Sequence, residues 1–220
     1  MTLELNAEKI QARAGELLAM TLSEEEASRL ARFAELLAKW NATYNLTSIT
    51  RPEDVLDLHL MDSLALAQCS RDLLSGSKKV LDVGSGGGLP AIPLAIVRPQ
   101  LEITMVDAVQ KKTIFQRQAI ALLRLTNIRA LHARVEQIKN QCFDVITSRA
   151  FASLSDMVRL TAPLLSENGI WLAMKGKLPQ DEIDALPENV AVEEIIGIEK
   201  LNFDRHLIVL KKISVDGNSV

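Results

Sequence analysis

The run Val80-Leu-Asp-Val-Gly-Ser-Gly-Gly-Gly-Leu-Pro90-Ala-Ile-Pro-Leu94 decides how this chain is read. An apolar, strand-like opening leads into a loop that gathers Gly84, Gly86, Gly87 and Gly88, four of the ten glycines in the chain. A helical stretch follows at once. A glycine loop between a strand and a helix lets backbone N–H groups approach a ligand closely, at the positive end of the helix. Asp107 closes the next apolar run, Ile103-Thr-Met-Val106. That is where an open α/β sheet places the carboxylate that binds a ribose diol. Strand, loop, helix, strand and acid in this order point to a nucleoside-binding half of such a sheet.

The pattern extends on both sides. Apolar runs at 80–83, 103–106, 128–131, 145–147 and 170–174 alternate with helix-like stretches at 90–98, 109–124 and 153–165. Strands alternating with helices of this length imply βαβ units, hence an α/β fold with a doubly wound, mostly parallel sheet covered on both faces. The runs 190–200 and 206–212, separated by Leu201-Asn-Phe-Asp-Arg205, predict an antiparallel hairpin at the end. The first third reads as helix. Ser23-Glu-Glu-Glu26 is a capping box, and Leu30, Phe33, Ala34, Leu37 and Trp40 recur at helical steps as one buried stripe. Asn41-Ala-Thr-Tyr-Asn-Leu-Thr47 breaks that period with turn-forming residues, and a second helix starts near Pro52 and runs through His59, Asp62 and Ser63. The chain therefore divides into an N-terminal helical extension packed on the core (1–66), a ligand-binding domain (67–212) and a polar, frayed tail (213–220).

Hydrophobic residues make up 48% of the 220 positions and charged ones 24%, which excludes a disordered or collagen-like chain. No stretch approaches the apolar length of a membrane span, and Glu4, Glu8 and Glu16 make the N-terminus unlike a signal peptide, so a cytoplasmic protein is expected. Cys69 and Cys142 are too few for a disulfide framework, and His59, His132 and His206 stand at no ligand spacing, so no metal site is expected. The net charge of −3 hides an asymmetry. Between Ala108 and Arg149 eight basic residues, Lys111 and Lys112 among them, face only Glu136 and Asp144; between Gln180 and Asp204 eight acidic residues face only Lys200. A basic sector beside the glycine loop suits phosphate contacts, with a solvated helix face as the plain alternative.

A dinucleotide fingerprint would need G-x-G-x-x-G, but counting from Gly84 the third glycine position is Leu89, and counting from Gly86 it is Ala91. The pattern present, Asp82-x-Gly84-x-Gly86-x-Gly88, resembles the S-adenosylmethionine loop of the Rossmann-like class I methyltransferases. An acid at the loop mouth repels a pyrophosphate but suits a sulfonium and an ammonium group. A dinucleotide, or a tight turn with no ligand, remains the competing reading. For a methyltransferase the acceptor follows from what is missing. Cys142 lacks the Pro-Cys setting of a carbon-methylating nucleophile and is expected to be a small core thiol. There is no Asn/Asp-Pro-Pro-aromatic turn for an exocyclic amine. A ring nitrogen with a free lone pair, such as guanine N7, needs neither device, because alignment with the methyl group supplies most of the catalysis. Protein-side and small-molecule acceptors stay open on this ground. Tyr44, Phe151 and Trp171 are candidates to stack on one base.

Taken together, Lys39-Trp-Asn-Ala-Thr-Tyr-Asn-Leu-Thr-Ser48, His59-Leu-Met-Asp-Ser63, Leu81-Asp-Val-Gly-Ser-Gly-Gly-Gly-Leu-Pro90, Ser148-Arg-Ala-Phe-Ala-Ser153, Met174-Lys-Gly176 and Arg205-His-Leu-Ile-Val209 resemble one family: the bacterial small-subunit ribosomal RNA methyltransferases G, also called glucose-inhibited division protein B. The resemblance implies methyl transfer from S-adenosylmethionine to N7 of a guanine, nucleotide 527, in 16S rRNA of the small ribosomal subunit, by a monomer with no DNA or membrane partner. It implies that Asp82, Gly84, Gly86, Gly88 and Leu89 form the cofactor loop, that Asp107 holds the ribose, and that Val135 and Glu136 flank the adenine. Arg149 would reach the cofactor or the reacting centre as an orienting cation, with Lys175 beside the catalytic mouth and no general base required. Asn45, His59, Lys111, Lys112 and Arg205 would face the RNA or the catalytic mouth, although His59 shares a helix face with Asp62 and Ser63, where a structural hydrogen-bond knot is the equal alternative. Ala91 departs from the family, which usually has glycine there; a methyl group at that point crowds the helix start without closing the loop.

Overall fold

A computed structural model describes residues 5–149, 151–198, 201 and 203–213. Seven strands, β1 (Lys79–Val83), β2 (Glu102–Asp107), β3 (Ile128–His132), β4 (Phe143–Arg149), β5 (Leu165–Lys175), β6 (Val190–Gly197) and β7 (His206–Lys212), form one sheet in the order β3-β2-β1-β4-β5-β7-β6. β1 to β5 run parallel, and β7 is antiparallel to both β5 and β6. The doubly wound sheet and its closing hairpin are as the sequence predicts. The tail from Ser214 lies outside the described residues.

Pleating sorts the two faces. Successive side chains of a strand point to opposite sides. Val80 therefore packs into one apolar core with helices α1 (Ala7–Leu18), α2 (Glu24–Tyr44), α4 (Asp62–Cys69), α5 (Ala91–Val97) and α6 (Gln110–Leu123). Leu81 and Val83 pack into a second core with α7 (Leu154–Thr161) and Trp171. The N-terminal helices are thus the cover of one sheet face, and α4 runs unbroken to Cys69.

Helix α2 begins at the capping box as expected: Glu26 N–H donates to Ser23 Oγ at 3.2 Å and Ser23 N–H to Glu26 Oε2 at 2.7 Å. It ends three residues later than the Asn41 break. Asn41 is buried and its side-chain oxygen accepts from Thr47 N at 2.8 Å, so it organises the following turn from inside the helix. Asn45, at φ +49°, makes the actual stop in the left-handed conformation that asparagine tolerates. Pro52 opens α3 (Pro52–Val55), and a π-helical turn, Leu56–Met61, joins it to α4. That widened turn buries His59, Leu60 and Met61.

Candidate active site

The strand order reverses at β1, whose neighbours are β2 and β4. In open α/β sheets ligands bind outside the carboxyl ends of the strands at this switch point. The glycine loop leaves β1 there. Gly84 N–H and Ser85 N–H donate to Val106 O, and Gly88 N–H and Leu89 N–H both donate to Ser85 O. Gly84, Gly86 and Gly88 all have positive φ (+69°, +53° and +77°). At Gly84 a side chain is doubly excluded, since an added Cβ would stand 2.7 Å from Cδ2 of Phe151.

Asp107 sits at the end of β2, buried, and each of its oxygens accepts one backbone N–H: Oδ2 from Gly86 at 2.9 Å and Oδ1 from Val109 at 2.8 Å. The carboxylate thereby ties the loop to the next strand and keeps lone pairs for further donors. A hollow of about 350 Å³ opens here, lined among others by Gly84, Asp107, Val135, Glu136, Phe151 and Asp156. Its size is that of a small-molecule site. Four sequence-predicted cofactor residues, Gly84, Asp107, Val135 and Glu136, meet in it, the last two on a 3₁₀ turn (Val135–Gln137) after β3. Phe151 forms part of this wall, whereas Trp171 is fully buried, its indole N–H on Thr161 Oγ1 at 2.8 Å; it cannot stack on a base.

Asp82 lies beneath the loop on the α2 side. It is fully buried, and neither carboxyl oxygen has a hydrogen-bond partner among the described residues; burial pushes its pKa up to about 7. The Ser85 hydroxyl and the Arg149 charge offset that rise only in part, so the buried acid suits a cationic group. The acid, the Asp107 carboxylate at the end of β2 and the Cβ-free loop together fit S-adenosylmethionine.

Arg149 ends β4 and points to the same face as Asp82, because Asp82 pairs with Thr147 two residues earlier. Its Nη1 donates to Leu58 O at 3.0 Å and to Asp62 Oδ2 at 3.1 Å, and Arg205 Nε lies 2.6 Å from Asp62 Oδ1. Asp62 is fully buried between the two guanidiniums; burial pushes its carboxyl above the usual range and the arginines oppose this. His59 Nδ1 faces the Arg149 fork at 3.4–3.5 Å, and Nε2 is 2.9 Å from Thr47 Oγ1. Nδ1 also lies 3.1 Å from Leu58 O, an acceptor that only the Nδ1–H tautomer can serve, whereas the Arg149 fork can only donate to a bare Nδ1. Burial, with the Arg149 charge, lowers the His59 pKa to about 4 and keeps the ring neutral.

Several expectations are corrected by these positions. His59 is 2% exposed and braces Arg149 from inside, away from any RNA-facing surface. Arg149 is committed to the N-terminal segment and is absent from the lining of the hollow. Met174 pairs with Arg149, so Lys175, the next residue of β5, projects to the opposite face. There it holds Ala152 O at 3.0 Å and Glu182 Oε2 at 2.7 Å. Cys142 is exposed at the entry to β4, not a core thiol. Asn45 and Lys111 do come together: Lys111 Nζ donates to Tyr44 O at 2.9 Å beside the exposed Asn45, and Lys112 Nζ stands 3.9 Å from Asp107. Sequence reasoning missed the role of Asp62 as the anchor of two arginines and that of Gln116, whose Nε2 donates to Gly86 O at 2.9 Å. The His59/Asp62 spacing on one helix face was the available signal for the first; none existed for the second.

Residues 26–208 match the family model described as rRNA small subunit methyltransferase G. The methyltransferase of that name from Leptothrix cholodnii is 47% identical over 201 residues, covering 90% of this chain and 92% of the relative. Its counterpart from Neisseria gonorrhoeae is 46% identical over 193 residues, 87% and 91% of the two chains. Among solved structures, ribosomal protein L11 methylase from Lactobacillus delbrueckii subsp. bulgaricus superposes with a TM-score of 0.57 at 16% identity, over 69% of this chain and 79% of that one. A methyltransferase from Thiobacillus denitrificans in complex with S-adenosyl-L-homocysteine gives 0.54 at 14% identity, over 69% and 91%. The solved structures share the fold; the family model spans residues 26–208 and the sequence relatives are 46–47% identical over nearly their whole length, and on that ground this chain belongs to the rRNA small subunit methyltransferase G family.

Proposed function

We propose that this protein transfers the methyl group of S-adenosylmethionine to N7 of a guanine, nucleotide 527, in 16S rRNA. The observation that carries the reading is the hollow in which Gly84 and Asp107 meet Val135 and Glu136, at the switch point of a chain from an rRNA methyltransferase family. When bound, S-adenosylmethionine supplies an electrophilic methyl group on a sulfonium. Asp107 would accept hydrogen bonds from the ribose hydroxyls, and Val135 and Glu136 would flank the adenine. Asp82, ionised by the approach of a cation, balances the charge beneath the loop. Guanine N7 carries a lone pair and no proton, so the chain needs to orient it and not to deprotonate it.

Orientation falls to the two arginines. One buried carboxylate compensates one of two guanidinium charges, which leaves a net positive charge on this cluster beside the hollow. Guanine O6 and the RNA phosphates are the acceptors that such a charge attracts. Asn45, Lys111 and Lys112 extend the contact outward along the same edge. In A-form RNA the N7 edge lies in a deep, narrow groove, so the target base is presented from a loop or splayed out. The test compares 16S rRNA from cells with and without the gene by fragment mass mapping. The guanine should carry its N7 methyl only in the first; equal methylation in both overturns the assignment.

A further inference from the structure

Gly86 is the centre of the glycine loop, and its peptide is held from outside the loop at both polar atoms. Its N–H donates to Asp107 Oδ2 and its carbonyl accepts from Gln116 Nε2, each at 2.9 Å. Gln116 is a residue of α6 with no exposed surface. Its remaining oxygen, Oε1, is buried with no partner among the described residues. A glutamine kept only to fill the core is a poor choice there, because an orphaned buried acceptor costs stability that an apolar side chain of the same shape does not. The helix that carries it is itself fixed. The neighbouring Phe115 packs between Phe33 and Trp40 of α2, at ring separations of 6.4 and 5.7 Å.

From this geometry we infer that Gln116 is a positioning residue for the cofactor loop: it holds the Gly86 peptide in the left-handed conformation that presents the loop to S-adenosylmethionine. The inference rests on the reading of the hollow as the cofactor site. Asp107 fixes the N–H side of this peptide and also faces the ligand; Gln116 fixes the carbonyl side and touches no ligand. Without it the loop has one clamp instead of two, and part of the binding free energy goes into ordering the loop.

Gln116→Met separates positioning from packing, since methionine matches the length of the side chain and removes both the clamp and the orphan. Calorimetric titration with S-adenosylmethionine should show a Kd raised by roughly three- to tenfold, the worth of one neutral hydrogen bond. The thermal midpoint should change little, because the variant removes the orphaned Oε1 but leaves the half-buried Gly86 carbonyl to water, and amide exchange at Gly86 in the free protein should accelerate. A lower midpoint with unchanged exchange at Gly86, or an unchanged Kd, overturns the inference. Wild-type protein that binds no S-adenosylmethionine would instead sink the reading of the hollow, and the exchange at Gly86 would still decide whether Gln116 holds the loop.

Discussion

Gly84 is where backbone and side-chain constraints coincide. A Cβ there has φ +69° to tolerate and the Phe151 ring 2.7 Å away, and that ring is a wall of the hollow. Gly84→Ala should cost about 1–3 kcal/mol in urea unfolding. Because Phe151 must move to make room, the affinity for S-adenosylmethionine should fall at least about tenfold. Asp82 and His59 give a second test, through pH. Native Asp82 keeps its proton up to about 7, above the unfolded value, so its contribution to stability falls as pH rises between about 4 and 7. Native His59 refuses a proton down to about 4, below the unfolded value, so its contribution rises with pH between about 4 and 6.5. The two slopes oppose each other, each at most ~1.4 kcal/mol per pH unit. Relative to wild type, Asp82→Asn should therefore gain stability as pH increases from 4.5 to 6.5 (roughly one proton's slope), and His59→Gln should lose it. Parallel curves for all three proteins would contradict the assignment of these groups.

At the scale of elements, the π-helical turn Leu56–Met61 joins the N-terminal cover to the sheet. Its Leu58 carbonyl and His59 ring, with Asp62 just beyond, receive Arg149 from β4. Arg149→Ala removes one of two partners of a buried carboxylate, for a stability loss of about 2–4 kcal/mol. Methylation of rRNA should be lost, while the affinity for S-adenosylmethionine, whose hollow lies elsewhere, should change less than about fivefold. Wild-type turnover in this variant would refute the orienting role. Strands β1 to β5, the hairpin and α2 were legible in the sequence because each declares itself locally, by period and by caps such as Ser23. The π-turn was not, since its extra residue alters no local pattern. Nor was the burial of Trp171 or the exposure of Cys142: both depend on which strand lies alongside. The meeting of Gly84, Asp107, Val135 and Glu136 in one hollow was legible because they follow one another along β1, β2 and β3. Asp62 with Arg149 and Arg205, or Gln116 with Gly86, are partnerships between distant segments; the His59/Asp62 spacing hints at the first knot without naming its arginines, and no spacing announces the second.

Across the whole molecule, the basic sector from Ala108 to Arg149 does not form one surface. Helix α6 runs back along the sheet, so Lys111 and Lys112 stand at the carboxyl ends of the strands, beside the hollow. Arg129 lies at the other pole, bonded to Thr104 and Gln141 in a recess shared with Lys79. The net charge of −3 and this split leave few cations for the RNA near the site. Lys111→Ala should weaken rRNA binding and lower the log–log salt slope by roughly 0.7–0.9, whereas Arg129→Ala should change neither; equal effects would mean that the RNA covers both poles. The most direct measurement is mass spectrometry of 16S rRNA fragments after incubation of small subunits with the protein and isotope-labelled S-adenosylmethionine. The account requires the label on N7 of one guanine, nucleotide 527, and its loss with Arg149→Ala. Label on another atom or another nucleotide, or none on the RNA while the cofactor binds, would contradict it.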